Sequence, residues 1–257
     1  MQRYFCVKKD KDIFFLNEEN SYHARTVMRM KIGDKVEIIY DSKLYIGEII
    51  SLDDLVKCRL IEEKREYNEL DIRVTICQSL VKEEKMDLIL QKCVELGMNS
   101  FIPLKTKNSI IKNLDENKKL VRWQKIVNDA SRQSKRNVIP MVLNVMNLEN
   151  ITKLDYDLKI ICTVNELSMS LKNILQNHKK CGTMIIVIGP EGGFKKDEET
   201  YLINNGFLSC KLLDFVLRTE TAGIVALSMI NYENGRWNLW ISLVCLHKEN
   251  WWLWDLF

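Results

Sequence analysis

The chain has few of the residues that bind metals or interrupt regular secondary structure. Only three of its 257 residues are histidines, three are prolines and ten are glycines. None of the eight cysteines belongs to a Cys-x-x-Cys pair, and the three histidines lie far from one another in sequence. The ligand spacing typical of zinc sites is therefore absent, and we expect no metal.

The sequence also lacks the signals of export and membrane insertion. Met1–Phe5 does not begin a signal peptide, and no apolar run approaches the length that spans a bilayer. We therefore expect a cytoplasmic protein with no membrane partner, whose cysteines are reduced thiols packed as small apolar residues.

The overall composition is that of an ordinary folded protein. Hydrophobic residues make up 46% of the chain and charged residues 28%, and 257 residues suffice for one large or two small domains. The net charge of +3 permits a nucleic-acid partner but does not indicate one by itself.

The pattern of residues 1–70 predicts a small β domain. Its short strand-like runs, separated by turn residues, are typical of a compact barrel and lie at 3–7, 12–16, 35–40, 44–50 and 55–61. A helix is predicted over 18–30, with Val27 and Met30 on its buried face. The charged, non-periodic segment 62–71 is the expected linker to a second domain.

The helix predicted over 18–30 carries several cationic side chains. Arg25 and Arg29 are four residues apart and are expected to share a helix face, with His23 close by and Arg3 on the first strand. The cluster is either a solvated basic face or a surface that contacts RNA phosphates.

From residue 71 onward, strand and helix patterns alternate. Such an alternation predicts an α/β domain with a parallel sheet and helices on both faces. The predicted strands lie at 72–77, 101–104, 158–162, 184–188 and 210–213, and the predicted helices at 83–96, 117–135, 167–178, 195–205 and from 219 onward.

The stretch Met184–Phe194 joins an apolar strand to a glycine-rich turn. Its apolar residues are mostly β-branched and lead into Gly-Pro-Glu-Gly-Gly, after which a helical pattern begins at Lys195. The adjacent Gly192 and Gly193 permit unusual backbone angles and let a ligand approach the main chain closely. The stretch is either a ligand-binding turn at a strand end or a tight turn without a ligand.

A second strand-to-helix turn, Leu217–Ala222, carries polar residues. Thr219 is expected to cap the helix that begins here, and Glu220 suits the positive end of its dipole. Together, the two turns predict a place where main-chain groups enclose a cofactor.

The end of the helix predicted over 117–135 is basic. Arg132, Gln133 and Arg136 are expected along one helix edge. They either face RNA phosphate or simply complement the negative end of the helix dipole.

Taken together, these motifs resemble the RsmE family, which methylates N3 of a uridine in small-subunit ribosomal RNA. The resemblance rests first on Gly189–Phe194 followed by Leu217–Ala222. It extends in chain order over about 1–233 through further matching positions, namely His23, Val27–Arg29, Gly33, Asp34, Lys92, Glu95–Gly97, Trp123, Ala130, Gln133, Arg136 and Pro140.

Membership of this family implies a PUA-like RNA-binding barrel at 1–70 and a SPOUT methyltransferase domain at 71–233. The C-terminal part of that α/β domain would be threaded into a trefoil knot. The resemblance also implies S-adenosylmethionine as the methyl donor, 16S ribosomal RNA or the small subunit as substrate, and a homodimer.

The resemblance also assigns site residues by position. Main-chain groups would bond the adenine of S-adenosylmethionine. The expected cofactor-binding residues are Ile188, Gly189, Glu191, Gly192, Gly193, Leu212, Leu213, Leu217, Arg218, Thr219 and Ala222. The expected RNA-binding residues are Arg3, His23, Arg25, Arg29, Arg132, Gln133 and Arg136.

Two residues are expected to carry the chemistry. Arg218 would stabilise the negative charge that develops on the uracil as N3 loses its proton. Glu220 would orient Arg218 or assist the removal of that proton. The methyl group of S-adenosylmethionine is already activated by the sulfonium, so the protein mainly supplies positioning.

Two features depart from the family pattern. Leu213 stands where the family has glycine, and it is expected to narrow the pocket or to force a different backbone angle beside the cofactor. Residues 234–257 fall outside the resemblance and hold five of the six tryptophans. This atypical tail is either a membrane-surface or partner-binding segment or an artefact of the sequence.

Leu213 leaves a second function open, that of a non-catalytic RNA-binding relic of the same fold. The intact glycine turn and the Leu217–Ala222 segment argue against it. A nicotinamide-dependent dehydrogenase is excluded, because the α/β domain has no early Gly-x-Gly-x-x-Gly motif followed by an acidic residue at the expected distance.

Overall fold

The computed structural model describes two compact units. The described residues are 1–65, 69–109, 115–166, 168–179 and 181–234. The first unit comprises Met1–Glu69 with Gln124–Met141, and the second comprises Leu70–Trp123 with Val142–Phe257. All of the atypical tail except Asn234 lies outside the described residues.

The first unit is built on a closed five-stranded barrel, as the sequence predicts. The strand order is β1-β2-β5-β4-β3, and parallel pairing of the first strand with the third closes the barrel. Apolar side chains such as Phe14, Ile38 and Ile49 are fully buried inside it. The strands are β1 (Arg3–Asp10), β2 (Ile13–Leu16), β3 (Lys35–Tyr40), β4 (Lys43–Ser51) and β5 (Lys57–Lys64).

The helix between β2 and β3 is shorter than predicted. It runs as α1 (Glu18–Tyr22) and continues as a π-helical turn over His23–Val27. Because a π turn holds more residues than an α turn, it changes which residues lie on the buried face of the helix. The predicted burial of Val27 is therefore wrong: its side chain is exposed, and Ala24 is buried instead.

The prediction that Arg25 and Arg29 share a helix face is also wrong. The helical segment ends before Arg29, whose φ of 51° lies in the left-handed region. A residue in that conformation cannot continue a right-handed helix.

The segment 62–71 is not a simple linker. Its first three residues belong to β5, and Glu69 is buried. Because charged side chains on the solvent face of a strand mask its periodicity, the sequence pattern ended that strand too early. Residues 66–68 of this segment lie outside the described part of the chain.

The second unit contains a six-stranded sheet in the order β11-β9-β10-β6-β7-β8. The ladders that join β11, β9, β10, β6 and β7 are all parallel, which confirms the predicted α/β class. The strands are β6 (Arg73–Ser79), β7 (Ser100–Leu104), β8 (Met141–Val142), β9 (Leu158–Cys162), β10 (Thr183–Ile188) and β11 (Leu208–Cys210).

The last strand lies earlier than the predicted 210–213. Within β11, Leu208–Cys210 pairs with β9, whereas Lys211 pairs with Ser170 instead. The two leucines that come next therefore leave the sheet, although their apolar character suggested a strand.

Some of the helices are followed by a residue in the left-handed conformation. Gly97, with a φ of 90°, lies just beyond the first of the longer helices and confirms the predicted C-terminal glycine. None of the described helices is long and apolar enough to cross a membrane. The helices after α1 are α2 (Glu83–Glu95), α3 (Glu116–Gln133), α4 (Leu148–Thr152), α5 (Leu171–Asn177), α6 (Lys196–Asn204) and α7 (Thr219–Glu233).

The end of α3 differs from the expectation for its basic residues. The helix stops at Gln133, and Lys135 has a φ of 55°. Arg136 therefore does not share a helix edge with Arg132 and Gln133, and that prediction is wrong.

Candidate functional site

A cavity of about 890 Å³ lies at the carboxyl ends of β9 and β10. Strand ends of a parallel sheet at this edge are where α/β proteins place ligands. The structure brings all eleven predicted cofactor-binding residues to its lining, namely Ile188, Gly189, Glu191, Gly192, Gly193, Leu212, Leu213, Leu217, Arg218, Thr219 and Ala222.

The glycine turn after β10 has a backbone that only glycine adopts readily. Gly193 has a φ of 66°, and its N–H donates to the carbonyl of Pro190 at 2.9 Å. A Cβ added at Gly189 would lie 3.0 Å from the ring of Phe194. The side chain of Asn108 donates to the carbonyls of Gly192 and Gly193 at 3.2 and 3.0 Å, which fixes the turn.

The two predicted turns are joined directly through Thr219. Its hydroxyl donates to the carbonyl of Gly189 at 2.6 Å and accepts from the amide of Gln78 at 2.9 Å. The prediction that Thr219 caps α7 is wrong, because Arg218 holds the N-cap position and Thr219 is the first helical residue. The hydroxyl that suggested a cap instead ties α7 to the glycine turn.

The segment between β11 and α7 forms the other side of the cavity. Leu213 lines the cavity with its side chain partly in solvent, so it does not fill the space. Phe215 and Val216 also line the cavity and are each 81% exposed. Apolar side chains thus form part of the lining here, and the cationic Arg218 follows them closely in sequence.

Sequence reasoning missed one wall of the cavity, which comes after β9. The hydroxyl of Thr163 donates to Glu199 at 2.5 Å, and the amide of Asn165 donates to both oxygens of the same carboxylate at 3.1 Å. The sequence pattern predicted that β9 ends at Cys162. It did not predict that β9 lies beside β10, because strand order cannot be read from periodicity.

Glu166 lies in the same missed wall and is held by several donors. It accepts from the hydroxyl of Ser209 at 2.5 Å, from the N–H and hydroxyl of Ser168 at 2.9 and 2.8 Å, and from the N–H of Met169 at 3.1 Å. These bonds, that of Ser209 foremost, lower the pKa of Glu166 to about 2. The carboxylate is therefore ionised at neutral pH and joins the loop after β9 to β11.

The two residues predicted to carry the chemistry lie at the start of α7. The side chain of Arg218 is 83% exposed, and its Nη1 is 4.0 Å from Oε1 of Glu220, whose own side chain is 13% exposed. Sequence reasoning missed Lys85 of α2, whose Nζ is 3.2 Å from Glu220 and 3.2 Å from Glu191. Lys85 therefore connects the glycine turn with the beginning of α7.

The charges around Glu220 determine its ionisation. Burial raises the pKa of Glu220. Its own backbone N–H, Lys85 and Arg218 each lower that pKa, and together they bring it below the ordinary value. Burial lowers the pKa of Lys85, while its bonds to Glu191 and Glu220 raise it above the ordinary value overall. Both groups are charged at neutral pH.

In the first unit, two of the predicted RNA-binding arginines are buried. Arg3 donates to Glu37 at 2.8 Å and to Asn137 at 3.0 Å. Arg136 forms an ion pair with Glu69, and the two side chains are only 6% and 7% exposed. In this structure both guanidinium groups bind protein acceptors inside the unit.

The other predicted RNA-binding residues lie nearer the surface. Arg132 binds the side chains of Asn20 and Asp129, and Arg25 binds the carbonyls of Leu52 and Asp53. Nδ1 of His23 is 3.2 Å from the hydroxyl of Tyr4. Arg29 and Gln133 are exposed. RNA contact stays a prediction for all of these residues. They differ in how far their side chains are exposed.

Two family models match the chain. Residues 68–231 match the RNA methyltransferase domain, and residues 16–61 match the RNA methyltransferase PUA domain. The first match contains the whole cavity lining, and the second lies within the barrel unit.

The chain is similar over most of its length to individual proteins. Ribosomal RNA small subunit methyltransferase E of Bacillus subtilis (strain 168) is 34% identical over 251 residues, covering 91% of this chain and 97% of the relative. The protein of the same description from Buchnera aphidicola subsp. Acyrthosiphon pisum (strain APS) is 31% identical over 229 residues, covering 84% and 87%.

A solved structure shares the fold of both units. The crystal structure of a ribosomal RNA small subunit methyltransferase E from Neisseria gonorrhoeae, bound to S-adenosyl methionine, matches with a TM-score of 0.82. The identity is 26%, and the match covers 90% of this chain and 97% of the solved one.

Proposed function

Because this chain belongs to the ribosomal RNA small subunit methyltransferase E family, we propose that it transfers the methyl group of S-adenosylmethionine to N3 of a uridine in 16S ribosomal RNA. The observation that carries the proposal is a cavity lined by both the glycine turn and the Leu217–Ala222 turn. Methylation of small-subunit ribosomal RNA is the activity of that family. To it we add the methylated atom, N3, and a single uridine as the target.

The cavity fits S-adenosylmethionine. Its volume of about 890 Å³ is in the range of sites for ligands of this size. The left-handed Gly193 and the adjacent Gly192 have no side chain, which lets the ligand approach the main chain closely. Residues of the two turns would hold the nucleoside. When bound, the cofactor supplies a methyl group on a sulfonium, which needs orientation more than activation.

The residues at the start of α7 would act on the uridine. Arg218 is exposed enough to reach a base at the cavity mouth, where its guanidinium would stabilise the charge on the uracil oxygens after N3 loses its proton. Glu220 is an ionised carboxylate 4.0 Å from Arg218, so it would orient that guanidinium or accept the proton.

We propose that the chain after β11 forms the trefoil knot of the SPOUT domain at 71–233. This proposal is supported by the contacts of that segment with the loop after β9. The backbone N–H of Lys211 donates to the carbonyl of Met169 at 3.0 Å, and the backbone N–H of Thr163 donates to the carbonyl of Cys210 at 3.0 Å. The segment after β11 therefore passes beside the loop after β9 before it reaches the cavity, as a threaded segment would.

The barrel at 1–70 and the end of α3 would bind the RNA, with Arg29 and Gln133 as the exposed members of the predicted contact set. The assembly would be a homodimer in the cytoplasm, acting on 16S ribosomal RNA or the small subunit. The tail at 234–257 has no part in the proposed reaction.

The open cavity beside Leu213 argues against a relic that has lost its cofactor. With Leu213 among its lining residues the cavity still has a volume of about 890 Å³, so this side chain does not fill it. The glycine turn is also intact, with Gly193 in the left-handed region.

A transfer assay tests the proposed function. The purified chain is incubated with S-adenosylmethionine carrying an isotopically labelled methyl group and with small subunits that lack the modification, and the RNA is digested to nucleosides. We expect the label in 3-methyluridine. No measurable cofactor binding in a calorimeter, together with no transfer, would leave only an RNA-binding function, and label in another nucleoside would refute the assigned atom.

A further inference from the structure

Lys85 lies between the two turns that form the cavity. It belongs to the first turn of α2, and its Nζ is 3.2 Å from Oε1 of Glu191 on the glycine turn and 3.2 Å from Oε2 of Glu220 on α7. The side chain is 30% exposed, and those of Glu191 and Glu220 are 28% and 13% exposed. Lys85 also lines the cavity itself.

We propose that Lys85 is a positioning residue that keeps Glu220 ionised and fixes the start of α7 against the glycine turn. This inference rests on the proposed function for its catalytic meaning, because Glu220 is there the partner of Arg218. The pairing itself does not depend on the reaction.

Charge and burial together explain why a cation is needed here. Glu220 is mostly buried, and burial disfavours a carboxylate. Glu191 binds the same ammonium, so the two carboxylates lie close enough to repel each other if that charge is removed. Lys85 offsets both effects at once.

The other charged group that faces Glu220 is Arg218, which immediately precedes α7. Its Nη1 is 4.0 Å from Oε1, its side chain is 83% exposed, and water screens a charge in that position. Lys85 is both closer and less exposed, so it has the larger influence on the carboxylate. Loss of Lys85 would leave Glu220 protonated over more of the pH range, and a neutral carboxyl holds the Arg218 guanidinium weakly.

The test measures the pKa of Glu220 directly. Glutamate carboxyl carbons are labelled with ¹³C in the full chain, and the Glu220 signal is assigned by its disappearance in Glu220→Gln. We expect Lys85→Met to raise the Glu220 pKa by about one pH unit or more, because an opposite charge at this distance lowers a carboxyl pKa by that much. Lys85→Arg keeps the charge and should restore the wild-type value.

The same variants are compared by the pH dependence of methyl transfer. In Lys85→Met the acid limb of the rate profile should move to higher pH together with the Glu220 titration, and Lys85→Arg should move it back. A lysine needed only for packing would lower the rate equally at every pH. If the wild-type chain transferred no methyl group, the proposed function would fail while the carbon titration still decided the role of Lys85.

Lys119 supplies a matched control. It belongs to α3, is 25% exposed and pairs with Glu83 in the first turn of α2, where neither residue lines the cavity. Lys119→Met should leave the Glu220 titration unchanged. If Lys85→Met does not fold, Glu191→Gln provides a second measurement of the Glu220 pKa. Without Glu191 competing for the Lys85 ammonium, Glu220 should titrate at lower pH. An unchanged Glu220 pKa in either cavity variant, or no rescue by Lys85→Arg, would overturn the proposal.

Discussion

At the scale of single residues, Arg218 combines charge and access. Its side chain is 83% exposed, so its removal breaks few contacts within the protein. We expect Arg218→Ala to lower the rate of methyl transfer at least about 100-fold, the cost of losing a group that stabilises developing charge. The thermal midpoint should stay close to that of the wild type.

Arg73→Ala is the control for that change. Arg73 is also exposed, but it lies at the amino end of β6, whereas the cavity lies at the carboxyl edge of the sheet. Its replacement should leave the transfer rate unchanged. Turnover near wild type in Arg218→Ala would remove Arg218 from the mechanism.

Glu166 offers a prediction about stability and pH. Its pKa is lowered from 4.5 to about 2 by the hydroxyl of Ser209, the N–H and hydroxyl of Ser168, and the N–H of Met169. Because the folded-state value is the lower one, the stabilisation is fully present above pH 4.5 and is lost as the pH falls through about 2. We expect Glu166→Gln to lower the free energy of unfolding at pH 7 by about 1 kcal/mol, after allowance for solvent screening.

Denaturant titrations at pH 7 and at pH 3 check this prediction. The difference between wild type and Glu166→Gln should be smaller at pH 3. Glu149→Gln is the control, because Glu149 pairs with an exposed lysine four residues away and should matter little. A difference that does not change with pH would contradict the role given to the ionised carboxylate.

Residue types predicted which residues line the cavity better than they predicted how buried each side chain is. The glycines and Leu217–Ala222 were recognisable because their chemistry depends on the backbone and on residue type. The burial of Arg3 and Arg136 was not, because their acceptors, Glu37 and Glu69, lie 34 and 67 residues away in sequence. Lys85 went unnoticed for the same reason: its partners are on distant elements.

At the scale of elements, the glycine turn is the part of the site most dependent on backbone conformation. Gly193 has a φ of 66°, and a Cβ there would meet no atom within 4 Å, so only conformation opposes an alanine. We expect Gly193→Ala to cost about 1 kcal/mol of stability and also to weaken S-adenosylmethionine binding, because the turn would relax away from its present shape. Chemical denaturation and calorimetry measure the two effects.

Gly206 provides a control with the same geometry elsewhere. Its φ is 86°, a Cβ there also meets nothing within 4 Å, and it comes after α6, outside the cavity lining. Gly206→Ala should lose similar stability and keep full cofactor affinity. Equal affinities in both variants would show that the conformation of Gly193 is not needed by the ligand.

Element types were predictable from the sequence, and their ends were less so. Apolar periodicity identified β10 and α2 almost to the residue. It failed where local geometry changed the period, as in the π turn at His23–Val27, and where side chains left the sheet to line the cavity, as after β11. Both failures come from contacts made by the folded chain, which a single-sequence pattern does not contain.

At the scale of the whole molecule, the match to the RNA methyltransferase domain ends at residue 231, and α7 ends at Glu233. We expect a chain shortened to residues 1–234 to bind S-adenosylmethionine with the affinity of the full chain and to unfold at the same temperature. Calorimetry and thermal melting of the two chains test this. A loss of affinity on shortening would give the tryptophan-rich tail a part in the site.

Fold class could be deduced from the order of elements, whereas topology could not. The change from short strands to alternating strands and helices indicated a barrel and then a parallel sheet, and both are present. Strand order, the closing pair of β1 with β3 and the course of the chain after β11 depend on long-range contacts. Only resemblance to a family suggested a knot, because threading leaves no trace in periodicity.

The most direct measurement of the central claim is a nucleoside analysis of small-subunit ribosomal RNA from cells that lack this gene. Mass spectrometry should show the loss of one 3-methyluridine, which returns when the wild-type gene is supplied and stays absent with Arg218→Ala. An unchanged amount of 3-methyluridine, or the loss of a ribose methylation instead, would contradict the assignment.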